Sequence, residues 1–271
     1  MAVVLEGGCR VSEMREGEPL IEGTLRIWNR IGRATGALAI SLRVMEFAPG
    51  LSPGIRNDCD EILYVLDEHW NFGQTNRNEV STTRVSGWVN AFIDGHDYNL
   101  DGDTGIYLRP GETFAINNSG PESIVLISSR CPDPDRASRF VQPLTVPSSD
   151  STLPKQPPLV RLADRPAQPT ADRWYRVLVD DEVGSTQVTQ FVGSIPPGRA
   201  PDHFHHYEEV LFILKGEGRL WAGETNTPIA PGSCIYLPKG QVHCVENTGK
   251  HELRLLGVFY PAGSPSVRYE A

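Results

Sequence analysis

The chain has 271 residues, 39% of them hydrophobic, which predicts about two domains at roughly 150 residues each, with modest cores. Its 34 acidic residues against 25 basic ones leave a net charge of −9, which argues against a nucleic-acid partner, because duplex affinity is built on cationic contacts to phosphate. With 26 glycines and 22 prolines the chain is turn-rich but well short of low complexity.

Met1 to Gly8 has no basic stretch followed by a long apolar core, so no secretory signal is expected. The longest apolar runs, around Ile124 to Ile127 and Val210 to Leu214, are too short to span a bilayer, and no membrane association is expected. Cys9, Cys59, Cys131, Cys234 and Cys244 are odd in number and form no CxxC pair. That usage fits reduced thiols in a cytoplasmic protein better than a disulfide framework.

Along the chain, short runs of β-branched and aromatic residues alternate with Gly, Pro, Asn and Asp. Leu42 to Phe47, Glu61 to Leu66, Thr186 to Gly193, Glu208 to Leu214 and Leu253 to Tyr260 all have this form, and no long amphipathic helix is evident. The pattern predicts an all-β fold. Val146 to Pro169 is proline-rich and reads as an extended linker, dividing the chain into 1–145 and 170–271.

The two halves repeat one another. Pro49-Gly50 leads to Glu61-Ile-Leu-Tyr-Val-Leu, and Pro197-Gly198 leads to Glu209-Val-Leu-Phe-Ile-Leu, eleven positions from Gly to Glu in both. Ile106-Tyr-Leu, Gly111 and Asn118-Ser-Gly likewise match Ile235-Tyr-Leu, Gly240 and Asn247-Thr-Gly. Glu61 to Gly111 spans 50 positions and Glu209 to Gly240 spans 31, so the first half carries a surplus of 19, expected as a hairpin or loop around Trp70 to Asp101. Ile62 to Leu66 and Val210 to Leu214 are apolar at every position. Strands of that kind need a layer on both faces, supplied by the sister domain or a second subunit, and a homodimer is expected.

Asp97-Tyr-Asn99-Leu-Asp101-Gly102 opens like a calcium-binding loop, but the twelfth position is Leu108 and no helices flank it, so a polar turn is expected. The Asn117-Asn118-Ser119 sequon lies in the repeat's terminal turn.

Five of the seven histidines follow residue 200. His203, His205 and Glu209 stand at even separations, which would put them on one face of a continuous strand, and His243 follows the Pro238-x-Gly240 turn. Three imidazoles and a carboxylate converging in a barrel would hold one divalent transition metal (Fe, Mn, Ni, Cu or Zn) and leave positions open for small ligands. His206 and Cys244 neighbour these residues and should face the other way, and Cys234 should be a buried thiol.

These segments resemble the two motifs of the cupin family. The first reads Gly198, four residues, His203-x-His205, three residues, Glu209, six residues, Gly216, with the initial gap one short of the usual five. The second reads Gly232, five residues, Pro238-x-Gly240, two residues, His243, three residues, Asn247. The resemblance implies two tandem double-stranded β-helix (jelly-roll) barrels, with His203, His205, Glu209 and His243 as metal ligands in the second. In the first half these positions map to Ile55, Asn57, Glu61 and Phe114, which implies a degenerate barrel without a metal site.

Cupin barrels host many reactions. A three-His, one-Glu centre suits a dioxygenase with Glu209 as base, or a non-redox lyase, isomerase, cyclase or hydrolase, or a non-enzymatic binding barrel. Ureidoglycine aminohydrolases are bicupins of similar length, but their ligand order differs from the one here. Counting in twos from Glu209 and His243 sends Leu211, Ile213, Gln241 and Val245 inward. That wall suits a small aromatic or partly apolar substrate bearing an oxygen donor.

Overall fold

The structure is a computed structural model and describes residues 1–66, 87–148, 155–266 and 269–270. Strands account for nearly all of its regular structure, and the helical elements among the described residues are four three-residue 3-10 turns. No helix is long and apolar enough to cross a membrane.

Each half forms a barrel of two facing sheets. In the C-terminal barrel, Ser233–Leu237, Glu208–Lys215, Leu253–Tyr260, Thr189–Ile195 and Arg173–Val179 run side by side in the larger sheet. The smaller sheet orders Thr225–Ile229, Gly218–Ala222, His243–Asn247, His203–Phe204 and Tyr269–Glu270. The N-terminal barrel repeats this plan, with Thr104–Leu108, Asp60–Val65, Ile124–Cys131, Leu42–Phe47 and Leu25–Ile31 facing a sheet built around Thr113–Asn118.

Edge strands are exchanged between the halves. Arg10–Glu13 pairs with Ser233–Leu237 and extends the C-terminal sheet. Leu159–Arg161, inside the proline-rich stretch, pairs with Thr104–Leu108 and extends the N-terminal sheet. Gln168–Thr170 pairs with Arg173–Val179. Barrel membership therefore crosses the sequence boundaries at 145 and 170.

The uninterrupted apolar runs are explained by the core. Leu211 and Ile213 pack inside the C-terminal barrel, while Val210, Phe212 and Leu214 face the other way. There they meet Ile62, Tyr64 and Leu66 of the first half, whose alternates Leu63 and Val65 fill the N-terminal barrel. The two larger sheets thus stack back to back, and each side chain buried between them contributes roughly 1.5–3 kcal/mol. Gln190 crosses the same interface, its Nε2 donating to the Leu63 carbonyl at 3.3 Å.

The repeated Asn-x-Gly ends are amide staples. Asn247 Nδ2 donates to the Ile195 and His251 carbonyls, both at 2.8 Å, and its Oδ1 accepts from Gly249 N at 2.9 Å. Asn118 repeats this with Phe47, Glu122 and Gly120 at 3.2, 2.7 and 3.0 Å.

The surplus is also narrowed. Glu61 stands 28 positions before Val89, the start of the Val89–Ile93 strand, whereas Glu209 stands 9 before Gly218, the start of Gly218–Ala222. The 19-residue difference is complete by Val89, and most of it lies outside the described residues. His96–Asn99 pairs with Val89–Ile93, so Asp97 and Asn99 are strand residues rather than a turn. Asp97 accepts from Asn90 at 2.6 Å, and Asp101 pairs with Arg161 at 2.6 Å.

Candidate metal centre

His203–Phe204 runs antiparallel to His243–Asn247, with His203 directly opposite His243. The chain then leaves the strand, so His205 sits in a short connection before Glu208–Lys215 begins. That connection is clasped by the Pro238-x-Gly240 turn: Gly240, at φ +78°, donates its amide to the His205 carbonyl at 2.7 Å. A positive φ of this kind favours glycine. The N-terminal barrel keeps the same clasp, with Gly111 N donating to the Asn57 carbonyl at 2.7 Å.

These elements bring ring nitrogens of His203, His205 and His243 within 4.8 Å of one another, a group able to hold a metal ion. Backbone carbonyls fix two of the rings. His203 Nδ1 donates to Pro201 O at 3.0 Å and His243 Nδ1 to Gln241 O at 2.8 Å, which leaves each Nε2 as the ligand atom. A set of imidazole nitrogens with an adjacent carboxylate suits a first-row divalent ion, so the residues present fit the group.

Glu209 stands beside this cluster rather than within it. Its Oε2 lies 3.4 Å from His205 Nε2. Burial pushes its carboxyl up to about 8. Burial, and then the neighbouring His203, push His243 down to about 4, so its imidazole is neutral at ordinary pH.

A cavity of about 100 Å³ opens onto His203, His205, Glu209 and His243. Phe191, Ile195, Leu211, Leu237, Val245 and Leu255 make its walls apolar, and Arg173 and Ser194 add polar groups. Tyr207 also lines it, stacked between His205 (4.6 Å) and Phe259 (4.4 Å).

Comparison with known proteins agrees with this geometry. The Cupin domain family model matches residues 191–259. In structure, the chain is similar to a variant of Bacillus subtilis oxalate decarboxylase, with a TM-score of 0.69 at 14% identity over 94% of this chain and 78% of that one. The chain has the fold of a bicupin. Auxin-binding protein 1 of Arabidopsis thaliana is 35% identical over 83 residues, which is 27% of the bicupin and 42% of that protein. The oxalate-binding protein of Thermotoga maritima is 36% identical over 66 residues, 24% of the bicupin and 54% of that protein. The matched stretches thus span about half the length of these relatives.

Of the expected pocket residues, Leu211 and Val245 line the cavity. Ile213 is fully buried deeper in the barrel core. Gln241 is turned away. It precedes the strand, so the two-residue alternation does not reach it, and its Oε1 packs where a Cβ on Gly7 would lie, 1.5 Å off. Its backbone carbonyl, not its side chain, serves the site. His206 is exposed and all five cysteines are buried thiols. Sequence reasoning missed Tyr207, Phe191 and Leu255. Alternation along Thr189–Ile195 and Leu253–Tyr260 would have found the last two, but Tyr207 lies outside any strand.

In the N-terminal barrel Ile55, Asn57, Glu61 and Phe114 are all buried. Glu61 keeps the position of Glu209 but faces a guanidinium. Arg43 and Asn57 both donate to it, and Ser128 Oγ adds a third hydrogen bond at 2.6 Å. A fixed cation from the chain itself stands beside this carboxylate.

Proposed function

We propose that the C-terminal barrel is the active centre of a metal-dependent enzyme that acts on a small, partly apolar substrate bearing an oxygen donor. The observation that carries this reading is the convergence of His203, His205 and His243, with two rings locked by backbone carbonyls, at the floor of an apolar cavity. On this reading the three histidines and Glu209 hold one divalent ion, which when bound supplies Lewis-acid polarisation of a substrate oxygen and, with a redox-active metal, electrons for dioxygen chemistry.

The chain's own residues do the remaining work. Phe191, Leu211, Val245 and Leu255 strip water from the substrate and hold its apolar part. Arg173, which lines the cavity and pairs with Asp172 at 3.1 Å, meets a carboxylate or other oxyanion on the substrate with its remaining donors. Glu209, adjacent to His205, takes and returns a proton through its carboxylate. Such an acid–base group supports a lyase-type cleavage, and the oxalate-directed names of two similar proteins are in keeping with an acidic substrate. The apolar walls favour the second reading, a dioxygenase acting on an aromatic or partly apolar compound.

One experiment separates the two. The purified, metal-analysed bicupin is screened against small carboxylic acids and hydroxylated aromatics, with and without oxygen. Turnover that persists without oxygen establishes the lyase class, and turnover coupled to oxygen uptake establishes the dioxygenase. Absence of turnover on both panels, with ligand-induced thermal stabilisation, would overturn the enzyme reading in favour of a binding barrel. A cytoplasmic homodimer completes the proposal, supported by the five reduced thiols and by exposed Leu20 and Ile21 on the edge strand Leu20–Glu22, and size-exclusion chromatography tests the dimer.

A further inference from the structure

The N-terminal barrel has lost its histidines but carries a cleft of its own. A cleft of about 320 Å³ opens there, lined by Ile27 and Arg43. The repeat offset of 148 carries these two onto Tyr175 and Phe191, which line the C-terminal cavity. The two openings share these two positions, but the N-terminal cleft does not reach Ile55, Asn57, Glu61 and Phe114, the places of the lost ligands, and is lined instead by the 31–35 and 130–138 segments.

Arg33, Arg43, Arg130 and Arg136 line the N-terminal cleft with Asp133 and Asp135. Arg43 is engaged by Glu61, Ser128 and Ser138 and Arg136 is paired with Asp58, so Arg33 and Arg130 carry the donors left for a ligand. Arg43 and Arg130 are both more than nine-tenths buried. Arg130 uses Nη1 on the Arg136 carbonyl (2.6 Å) and Nη2 on Asp133 (3.1 Å), while its buried Nε–H has no acceptor. Ser138 Oγ accepts from Arg43 Nη1 at 2.6 Å, which leaves its own hydrogen to donate into the cleft. Asp135 reaches Arg33 only at 4.0 Å, so that cation is lightly held. The opposite wall is apolar, from Leu20, Ile27, Ile31 and Phe140.

We propose that this cleft is a second ligand site, independent of metal, for a small monocarboxylate with a hydrocarbon body. Planar guanidinium groups match a carboxylate fork. The apolar wall needs a hydrocarbon to cover it, which inorganic phosphate does not offer.

Calorimetric titration of the full-length, chelator-treated protein tests the site, with hexanoate as probe and inorganic phosphate as comparison. Hexanoate is expected to bind once per chain and phosphate to bind about tenfold more weakly or less. Because Arg33 is exposed and only lightly held, Arg33→Ala should fold normally and weaken hexanoate by about tenfold, as loss of a charge-assisted hydrogen bond implies, and Arg136→Ala, whose guanidinium is already paired with Asp58, should weaken it less. Restoring zinc or making His243→Ala should leave the affinity unchanged. No binding at about 10 mM hexanoate, equal binding of phosphate, or binding that follows His243 rather than the arginines would overturn the site.

Discussion

Glu208 and Asp60 hold equivalent places in the two repeats, and each fastens its own barrel to the other. Glu208 accepts the backbone amides of Leu38 (2.8 Å) and Ala39 (2.6 Å) from the first half, and the Tyr236 hydroxyl from its own. Asp60 accepts the Tyr107 hydroxyl at 2.5 Å and Gln187 Nε2, from the second half, at 3.4 Å. The two inter-barrel bonds to the buried Glu208 carboxylate are short and come from backbone amides, whereas the one to Asp60 is long. Glu208→Ala should therefore cost about 2–4 kcal/mol and Asp60→Ala distinctly less, because each orphaned buried donor costs roughly 1–3 kcal/mol. Urea denaturation of both variants checks the order; equal losses would show that the fastening is not carried by these bonds.

The metal centre makes a contrasting pair of predictions. His243→Ala removes a nitrogen that backbone Gln241 has already oriented, and should lower metal content at least about tenfold. Glu61→Ala alters the matching carboxylate of the other barrel and should leave metal content unchanged. Elemental analysis of protein purified without added metal reads both.

Much of this was legible in the sequence, for identifiable reasons. The repeat and the apolar runs report burial, which is a local property of each strand, and so the two barrels and the need for a layer behind each could be read directly, while the choice of the sister barrel over a second subunit as that layer could not. The histidines could be read because motif spacing fixes which residues meet around the Gly240 turn. Arg43 could not. It faces Glu61 across 18 positions of chain, at a place where the repeat has Phe191, and nothing in the spacing of the lost ligands points to it. The exchange of Arg10–Glu13 was hidden for the same reason, since its partner Ser233–Leu237 is more than 200 residues away.

From these two groups, the metal-free protein should be most stable over a plateau between about pH 4.5 and 6.5 and lose stability as pH rises from there to 8. Between pH 6.5 and 8, His243 is neutral both folded, with its value near 4, and unfolded, near 6.5. Glu209 keeps its proton in the fold up to about 8 but loses it near 4.5 when unfolded. The folded state then binds more protons, so stability falls as pH rises through that window. Below 6.5 the unfolded state takes up a proton that the buried His243 refuses, and this loss offsets the continuing gain from Glu209 down to about pH 4.5, below which the His243 loss stands alone. Urea midpoints of chelator-treated protein at pH 6.5 and 8 measure the first slope. Glu209→Gln should flatten it; a slope that survives the substitution would assign it to another group.

Arg43 and Glu61 should show strong coupling. Arg43→Met leaves a buried carboxylate with only Asn57 and Ser128 as donors, and should cost about 3–5 kcal/mol, as removal of one member of a buried ion pair does. The double variant Arg43→Met/Glu61→Leu removes both charges and should recover most of that loss, since well-packed apolar replacements of a buried pair are often neutral or stabilising. Both side chains point into the same core as Met45 and Leu63, so the replacements have apolar neighbours. A double-mutant cycle by urea denaturation measures the coupling. If the single losses simply add, the guanidinium is not the internal cation of this barrel, and Asn57 and Ser128 alone hold the buried Glu61.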